Sequence, residues 1–212
     1  DDLEREGPYG EGLGYQGDGE MAWWMNVTTV THRRNPWFHN SFTGVDRGPI
    51  KSPGVASSYL FAKKFVPEIA DFHYLSNANN IFFISIDKTA PGQGMAAGEK
   101  LGKFNPVAKV VIVLDRDVDL MDMSQVMAAI SSRWQPSPAA RVFDNLPGLP
   151  LDPSQKDPNK TSKIIIDATR QLPGEGGPAT FPKTNREILT ALAPDAFARV
   201  DSKWADVIAK SG

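Results

Sequence analysis

Two glutamates five positions apart, Glu6 and Glu11, flank a Gly7-Pro8-Tyr9-Gly10 turn near the start of the chain, with Gly14-Tyr15 close behind. On a regular strand this spacing sends the two carboxylates to opposite faces, but a Gly-Pro-x-Gly turn can swing both into one pocket. A close carboxylate pair separates its two proton affinities, so that one side chain holds a proton while its neighbour stays ionised. General acid catalysis needs such a proton. The same residues also suit a solvated acidic loop, and spacing alone favours that plainer outcome.

Three further patterns could carry chemistry. Gly92-Gln93-Gly94-Met95-Ala96-Ala97-Gly98 follows an apolar strand and precedes Asp115 at the end of the next one. It imitates a dinucleotide fingerprint, in which glycines admit a pyrophosphate to a helix N-terminus and an acid binds ribose. The last glycine comes one residue late, and residues 88–91 separate the strand from the first glycine, so an ordinary strand-to-helix connection is preferred. Asp115, Asp117 and Asp119 alternate as at the start of a calcium loop, but Leu120 and Val126 stand where glycine and glutamate are needed. Acids that end a strand and cap the following helix account for them. His32, His39 and His73 lack metal-ligand spacing, His32 reads as structural, and no serine sits in a nucleophile elbow.

Composition bounds the elements that must position these residues. With 212 residues, 41% hydrophobic and 23% charged, the chain can build one sizeable core or two small ones. A net charge of -2 leaves no basic surplus to neutralise phosphates, which argues against a nucleic-acid partner. The lack of cysteine removes disulfides, thiolate metal sites and a cysteine nucleophile together, and fits a cytoplasmic location. No apolar run approaches the roughly 20 residues of a membrane span, and Asp1, Asp2, Glu4 and Glu6 make the N-terminus acidic where a signal peptide would be basic. The chain begins without methionine in a Gly-rich stretch, as a cleavage product, a subunit or an excised piece would.

Residues 23–32 are β-branched and aromatic and predict a strand, with a second over residues 36–43. Lys51-Ser52-Pro53-Gly54 predicts a turn and a domain boundary. Helices are expected over residues 57–65, 94–101 and 123–133, and buried strands over 80–87, 109–114 and 163–168. Continuous apolar strands alternating with helices indicate a parallel α/β sheet. The six prolines in residues 135–160 predict an extended surface loop. A linker over residues 174–178 leads to terminal helices over 185–192 and 196–210. In the last of these, Phe197, Val200, Trp204, Val207 and Ile208 recur at helical spacing, as if to pack on a neighbour.

In order along the chain, several segments resemble the UbiD family. Glu6-Gly7-Pro8-Tyr9-Gly10-Glu11 with Gly14-Tyr15 is similar to its E-G-P-F-G-[DE]-x-x-G-Y element, and Val30-Thr31-His32-Arg33-Arg34-Asn35-Pro36 to its I-T-H-R-x-x-P strand. Residues 113–119, with Val126 and Arg133, resemble its V-D-x-D-I-D strand and the helix ending in arginine. Leu151-Asp152-Pro153-Ser154 and Ser162-Lys163-Ile164-Ile165-Ile166-Asp167-Ala168-Thr169 are similar to its closing L-D-P-S and S-K-x-x-x-D-A-T elements.

The resemblance implies a reversible non-oxidative decarboxylase of aromatic or α,β-unsaturated acids, using prenylated FMN with Mn2+ and K+. It implies an α/β fold, with residues 1–50 ending a split β-barrel that binds the flavin and residues 51–212 forming a C-terminal oligomerisation domain with a mostly parallel sheet and terminal helices. Glu11 would be the general acid, and Glu6 would hold an arginine and tune the pair. Lys103 matches a lysine that approaches the flavin, and Pro106, Leu149 and Leu151 match positions that line the substrate pocket. Pro106 departs from the aromatic residue that many relatives carry there.

The family's catalytic arginine, its metal ligands and most flavin contacts lie upstream of the Glu-Gly-Pro element. The expected partners are therefore an upstream N-terminal part or companion subunit, further copies of the chain, a small aromatic acid, and a flavin prenyltransferase as cofactor source. The chain would be inactive without that upstream part, and no metal ligand is expected within it. The competing readings are a non-catalytic assembly module of the same family and a nucleotide-binding α/β oxidoreductase.

Overall fold

The computed structural model describes residues 3–17, 19–38, 51–75, 78–103, 105–157 and 159–211. Residues 1–171 and 172–212 form two compact units. No helix among the described residues is long and apolar enough to cross a membrane.

The first unit opens with two small antiparallel pairs. Strand β1 (Leu3–Arg5) pairs with β4 (Met21–Trp23), and between them β2 (Tyr9–Gly10) pairs with β3 (Gln16–Gly17). The strand expected over residues 23–32 is shorter than its composition suggests: it ends at Trp23, and residues 24–38 form no regular strand. Strand propensity reports fit to a neighbouring strand, and among the described residues only Leu3–Arg5 pairs here. Trp24, Met25, Val27, Val30, Trp37 and Phe38 are consequently exposed, Trp37 to 93%. Of the second expected strand, residues 36–38 are irregular and 39–43 lie outside the described residues.

Helix α1 (Lys51–Phe65) begins at the segment expected to be a turn. Pro53 falls in its first helical turn, where the missing N–H would have no intrahelical partner anyway. Next come β5 (Ile69–Leu75), β6 (Ala78–Ile86), α2 (Gln93–Gly102), β7 (Val110–Asp115), α3 (Met123–Arg133), β8 (Ala140–Pro147) and β9 (Lys160–Asp167). They build a five-stranded sheet of order β5-β6-β7-β9-β8. The sheet is mixed rather than mostly parallel: β6, β7 and β9 run parallel, while the edge strands β5 and β8 are antiparallel to their neighbours.

Strand β7 shows why the central strands read as unbroken apolar runs. Val111 and Val113 face a core completed by Ala97 and Leu101 of α2, Ala62 of α1 and Ile165 of β9. Ile112 and Leu114 face the opposite side, against Val126 and Ala129 of α3. Successive side chains alternate faces, and both faces are covered. Asp122 caps α3, accepting from the Ser124 N–H at 2.9 Å.

The region expected to be one long proline-rich loop contains β8, which pairs with β9 from Ala140↔Ile166 to Pro147↔Lys160. The prolines flank this strand instead of interrupting it, and Arg141, Asp144 and the terminal Pro147 suit an exposed edge.

The second unit holds a 3₁₀ turn (Pro173–Glu175), α4 (Asn185–Leu192) and α5 (Ala196–Ser211). A capping box starts α4, with Thr184 Oγ1 accepting from the Glu187 N–H at 3.1 Å while Glu187 accepts from the Thr184 N–H. Leu189 and Leu192 of α4, and Val200, Trp204, Val207 and Ile208 of α5, are exposed.

Candidate active site

The two small strand pairs place the acidic residues. Glu6 follows β1, and its N–H donates to Glu20 O at 3.0 Å. Gly19, at φ +77°, passes so close to the Glu6 carbonyl that any Cβ there would overlap it. Glu11 sits at the mouth of the β2-β3 hairpin, donating from its N–H to Tyr15 O at 2.8 Å. Its carboxylate lies over Gly17 of β3, where a Cβ would stand 3.1 Å from Glu11 Oε1. Glycine at residues 17 and 19 thus leaves room for the chain to bring both acids to one place.

That place is a cavity of about 710 Å³ whose lining includes Glu6, Glu11, Glu20, Tyr9 and Tyr15 together with Pro150, Leu151 and Pro153. Glu6 and Tyr9 are exposed to solvent and Glu11 is half-buried, so the acids line this cavity from solvent-accessible positions. Among the described residues that line it, none is a lysine or arginine. Tyr9 Oη donates to Glu6 Oε1 at 2.8 Å, and this bond, followed by burial and the charges of Glu6, Glu11 and Glu20, raises the phenol above its usual value of 10.

Hydrogen bonds brace the segment that carries Pro150, Leu151 and Pro153. Leu149 O accepts from the Asp152 N–H at 3.0 Å and from Gln155 Nε2 at 2.7 Å. Asp152, 8% exposed, accepts from Ser154 N and Oγ and from Lys109 Nζ at 2.7 Å. Burial alone would push the Asp152 carboxyl up, but Lys109 and Ser154 outweigh it and hold the group below the usual carboxylate range.

Of the residues expected at the site, Glu6, Glu11 and Leu151 line this cavity. Leu149 supports the turn that carries Leu151, and Pro106 is exposed in the bend after α2. Lys103, just past α2, pairs with Glu99 at 2.9 Å and lies over the Phe143 ring at 4.2 Å. None of these last three is among the cavity's lining residues.

The other patterns resolve into packing and ion pairs. A Cβ at Gly94 would overlap the Asp167 carboxylate, and one at Gly98 would overlap Ile165 Cγ2 and stand 3.0 Å from Val113 Cγ2. These glycines let α2 lie close on the sheet, as an ordinary strand-to-helix connection requires. Asp115 and Asp117 each accept from Arg133 Nη1 at 2.7 Å, and Arg170 also pairs with Asp117. The alternating acids therefore tie the end of β7 to the end of α3. Among the described residues, no group of three or more His, Asp or Glu side chains is arranged to hold a metal ion.

Tyr9, Glu20 and Lys163 carry no separate signal in the sequence. Lys163 is 1% exposed, and its Nζ donates to Gly102 O at 3.1 Å and to Asn105 O. Burial pushes it down to about 8, so at neutral pH it is a cationic cap on the carbonyl end of α2. Only its place in the S-K-x-x-x-D-A-T element marks it in the sequence.

Comparison with known proteins places this geometry. Residues 51–168 match the 3-octaprenyl-4-hydroxybenzoate carboxy-lyase C-terminal domain, and residues 1–46 match the Rift-related domain of the same enzymes. A phenolic acid decarboxylase of Sedimentibacter hydroxybenzoicus is 32% identical over 96% of this chain and 42% of its own length. The open form of vanillic acid decarboxylase from that organism superposes with a TM-score of 0.72 at 27% identity, covering 99% of this chain and 45% of its own. The UbiD-class enzyme HmfF from Pelotomaculum thermopropionicum, solved in complex with FMN, gives a TM-score of 0.65 at 26% identity, over 87% of this chain and 42% of its own. The chain thus spans less than half the length of these relatives. Family matches over most of the sequence, together with this fold, show that the chain belongs to the UbiD family of carboxy-lyases.

Proposed function

We propose that this chain forms the C-terminal part or subunit of a reversible, non-oxidative decarboxylase of aromatic or α,β-unsaturated acids that works with prenylated FMN in the cytoplasm. The observation that carries the reading is the placement of Glu6 and Glu11 in one cavity with Pro150, Leu151 and Pro153. In this reading residues 1–50 complete a split barrel around the flavin, and residues 51–212 form the oligomerisation domain. The flavin, when bound, supplies the electron sink for loss of carbon dioxide. The cavity fits one wall of such a site: Leu151, the prolines and the tyrosine rings suit a flat aromatic acid, and the carboxylates suit proton transfer.

The flavin's phosphate and the substrate's carboxylate both call for cations. With none on this wall, the reading assigns the arginine, most flavin contacts and the Mn2+ and K+ ligands to an upstream part or companion subunit. Lys103 would turn toward the flavin from its place beside Glu99, and Pro106 and Leu149 would border the substrate once the site is complete. The electron pair left by carbon dioxide ends in the new C–H bond of the substrate carbon, for which Glu11 delivers the proton and then recovers one from solvent. Glu6 holds the upstream arginine. Leu189, Leu192, Trp204 and Ile208, exposed on the terminal helices, support assembly with further copies.

Native purification tests this. The assembly should contain an upstream polypeptide and a flavin visible by its absorbance. A colourless assembly made of this chain alone would instead support the non-catalytic assembly-module reading.

A further inference from the structure

The hydroxyl of Tyr9 serves neither the hairpin's backbone nor the core. Its backbone belongs to β2, which pairs Tyr9 with Gly17, and the hairpin so formed carries Glu11 at its mouth. Its hydroxyl reaches back across the turn to Glu6 Oε1 at 2.8 Å. One side chain therefore bridges the loop that places one acid and the carboxylate of the other. The ring is seated on Gly7, where a Cβ would stand 3.2 Å from Tyr9 Cδ1, so glycine permits the close approach that aims the hydroxyl.

Resting on the proposed reading of Glu6 and Glu11 as active-site acids, we infer that Tyr9 is a positioning residue that fixes the Glu6 carboxylate through one oxygen and leaves the other free to hold a cationic group. A carboxylate on a short flexible stem rotates among several orientations. A hydrogen bond from a neutral donor to one oxygen selects among them and presents the remaining lone pairs in one direction. The raised affinity of the phenol for its proton keeps it a donor across the working pH range, so it does not compete with Glu11 as the source of the reaction's proton. Tyr9 acts through Glu6, and phenylalanine in its place would keep the ring on Gly7 and lose the aim.

The test compares Tyr9→Phe, Glu6→Gln and the double variant in the complete assembly loaded with prenylated flavin, using a panel of aromatic acids that includes vanillate. Tyr9→Phe should lower kcat roughly tenfold, the loss expected of one hydrogen bond to a charged group. KM and melting temperature should stay near their original values, a split that a purely structural staple would not give. In the Glu6→Gln background, loss of the hydroxyl should change kcat less than about twofold, because its effect passes through Glu6. An active assembly indifferent to Tyr9→Phe, or one equally sensitive with and without Glu6, overturns the inference alone. An unaltered, flavin-loaded assembly that decarboxylates nothing sinks the functional reading, and this inference with it.

Discussion

Replacing Gly98 by alanine asks whether the glycine run of α2 is a packing device or an open cradle. On an isolated helix the change would stabilise by about 1 kcal/mol, since glycine is the poorer helix former. Here the added methyl would overlap Ile165 Cγ2 and stand 3.0 Å from Val113 Cγ2, against the roughly 3.5–4.0 Å at which carbon atoms pack best. Ile165 and Val113 are both fully buried at the centre of the sheet and cannot turn aside. α2 would have to back away by roughly 1 Å, and overpacking of this kind typically costs about 1–3 kcal/mol. Set against the gain in propensity, the net loss should be about 0–2 kcal/mol and centre on about 1 kcal/mol, or a urea midpoint lower by roughly half a molar for a unit of this size. Equilibrium urea unfolding followed by circular dichroism would measure it. A midpoint that rises, as propensity alone demands, would refute the packing assignment and reopen the run as a ligand cradle.

Other expectations follow from the buried charges. Because its neighbours hold Asp152 below the usual carboxylate range, its stabilisation is fully present above about pH 4, the unfolded value, and is lost as pH falls through the lower folded value. In Lys109→Met, acid unfolding should therefore begin from a lower stability and show a smaller loss below pH 4, with faster proteolytic cutting near Leu151; an unchanged acid profile would remove Lys109 from the wall's support. Lys163 has a folded value of about 8, below its ordinary 10.5, so the unfolded chain binds more protons between these values and stability gains as pH rises across that window. Urea titrations at pH 7.5 and 10 should show the original protein gaining on Lys163→Met, and a constant difference would show that burial does not shift this lysine.

What could be read in advance followed the strength of each local signal. The strands over residues 110–115 and 160–167 were legible because both sheet faces are covered, which leaves apolar runs with no solvent-facing position to interrupt them. β8 was hidden because it is an edge strand, polar on its open side, and its flanking prolines imitate a loop. Residues 24–32 misled in the opposite sense, since strand composition becomes a strand only where another strand supplies the ladder. The meeting of Glu6 and Glu11 could be suspected from the Gly-Pro turn. The apolar part of the lining, fastened by Lys109 and Asp152 across 43 residues, could not.

The central claim is that Glu11 supplies the proton that replaces the lost carboxyl group. Its most direct test is turnover in deuterated water by the complete, flavin-loaded assembly, original and Glu11→Gln, with product deuterium measured by mass spectrometry. The account predicts one deuterium at the vacated carbon for the original and a loss of at least roughly a hundredfold in turnover for Glu11→Gln, the usual scale of general acid catalysis, with the fold intact. Unchanged turnover and labelling in Glu11→Gln would contradict it.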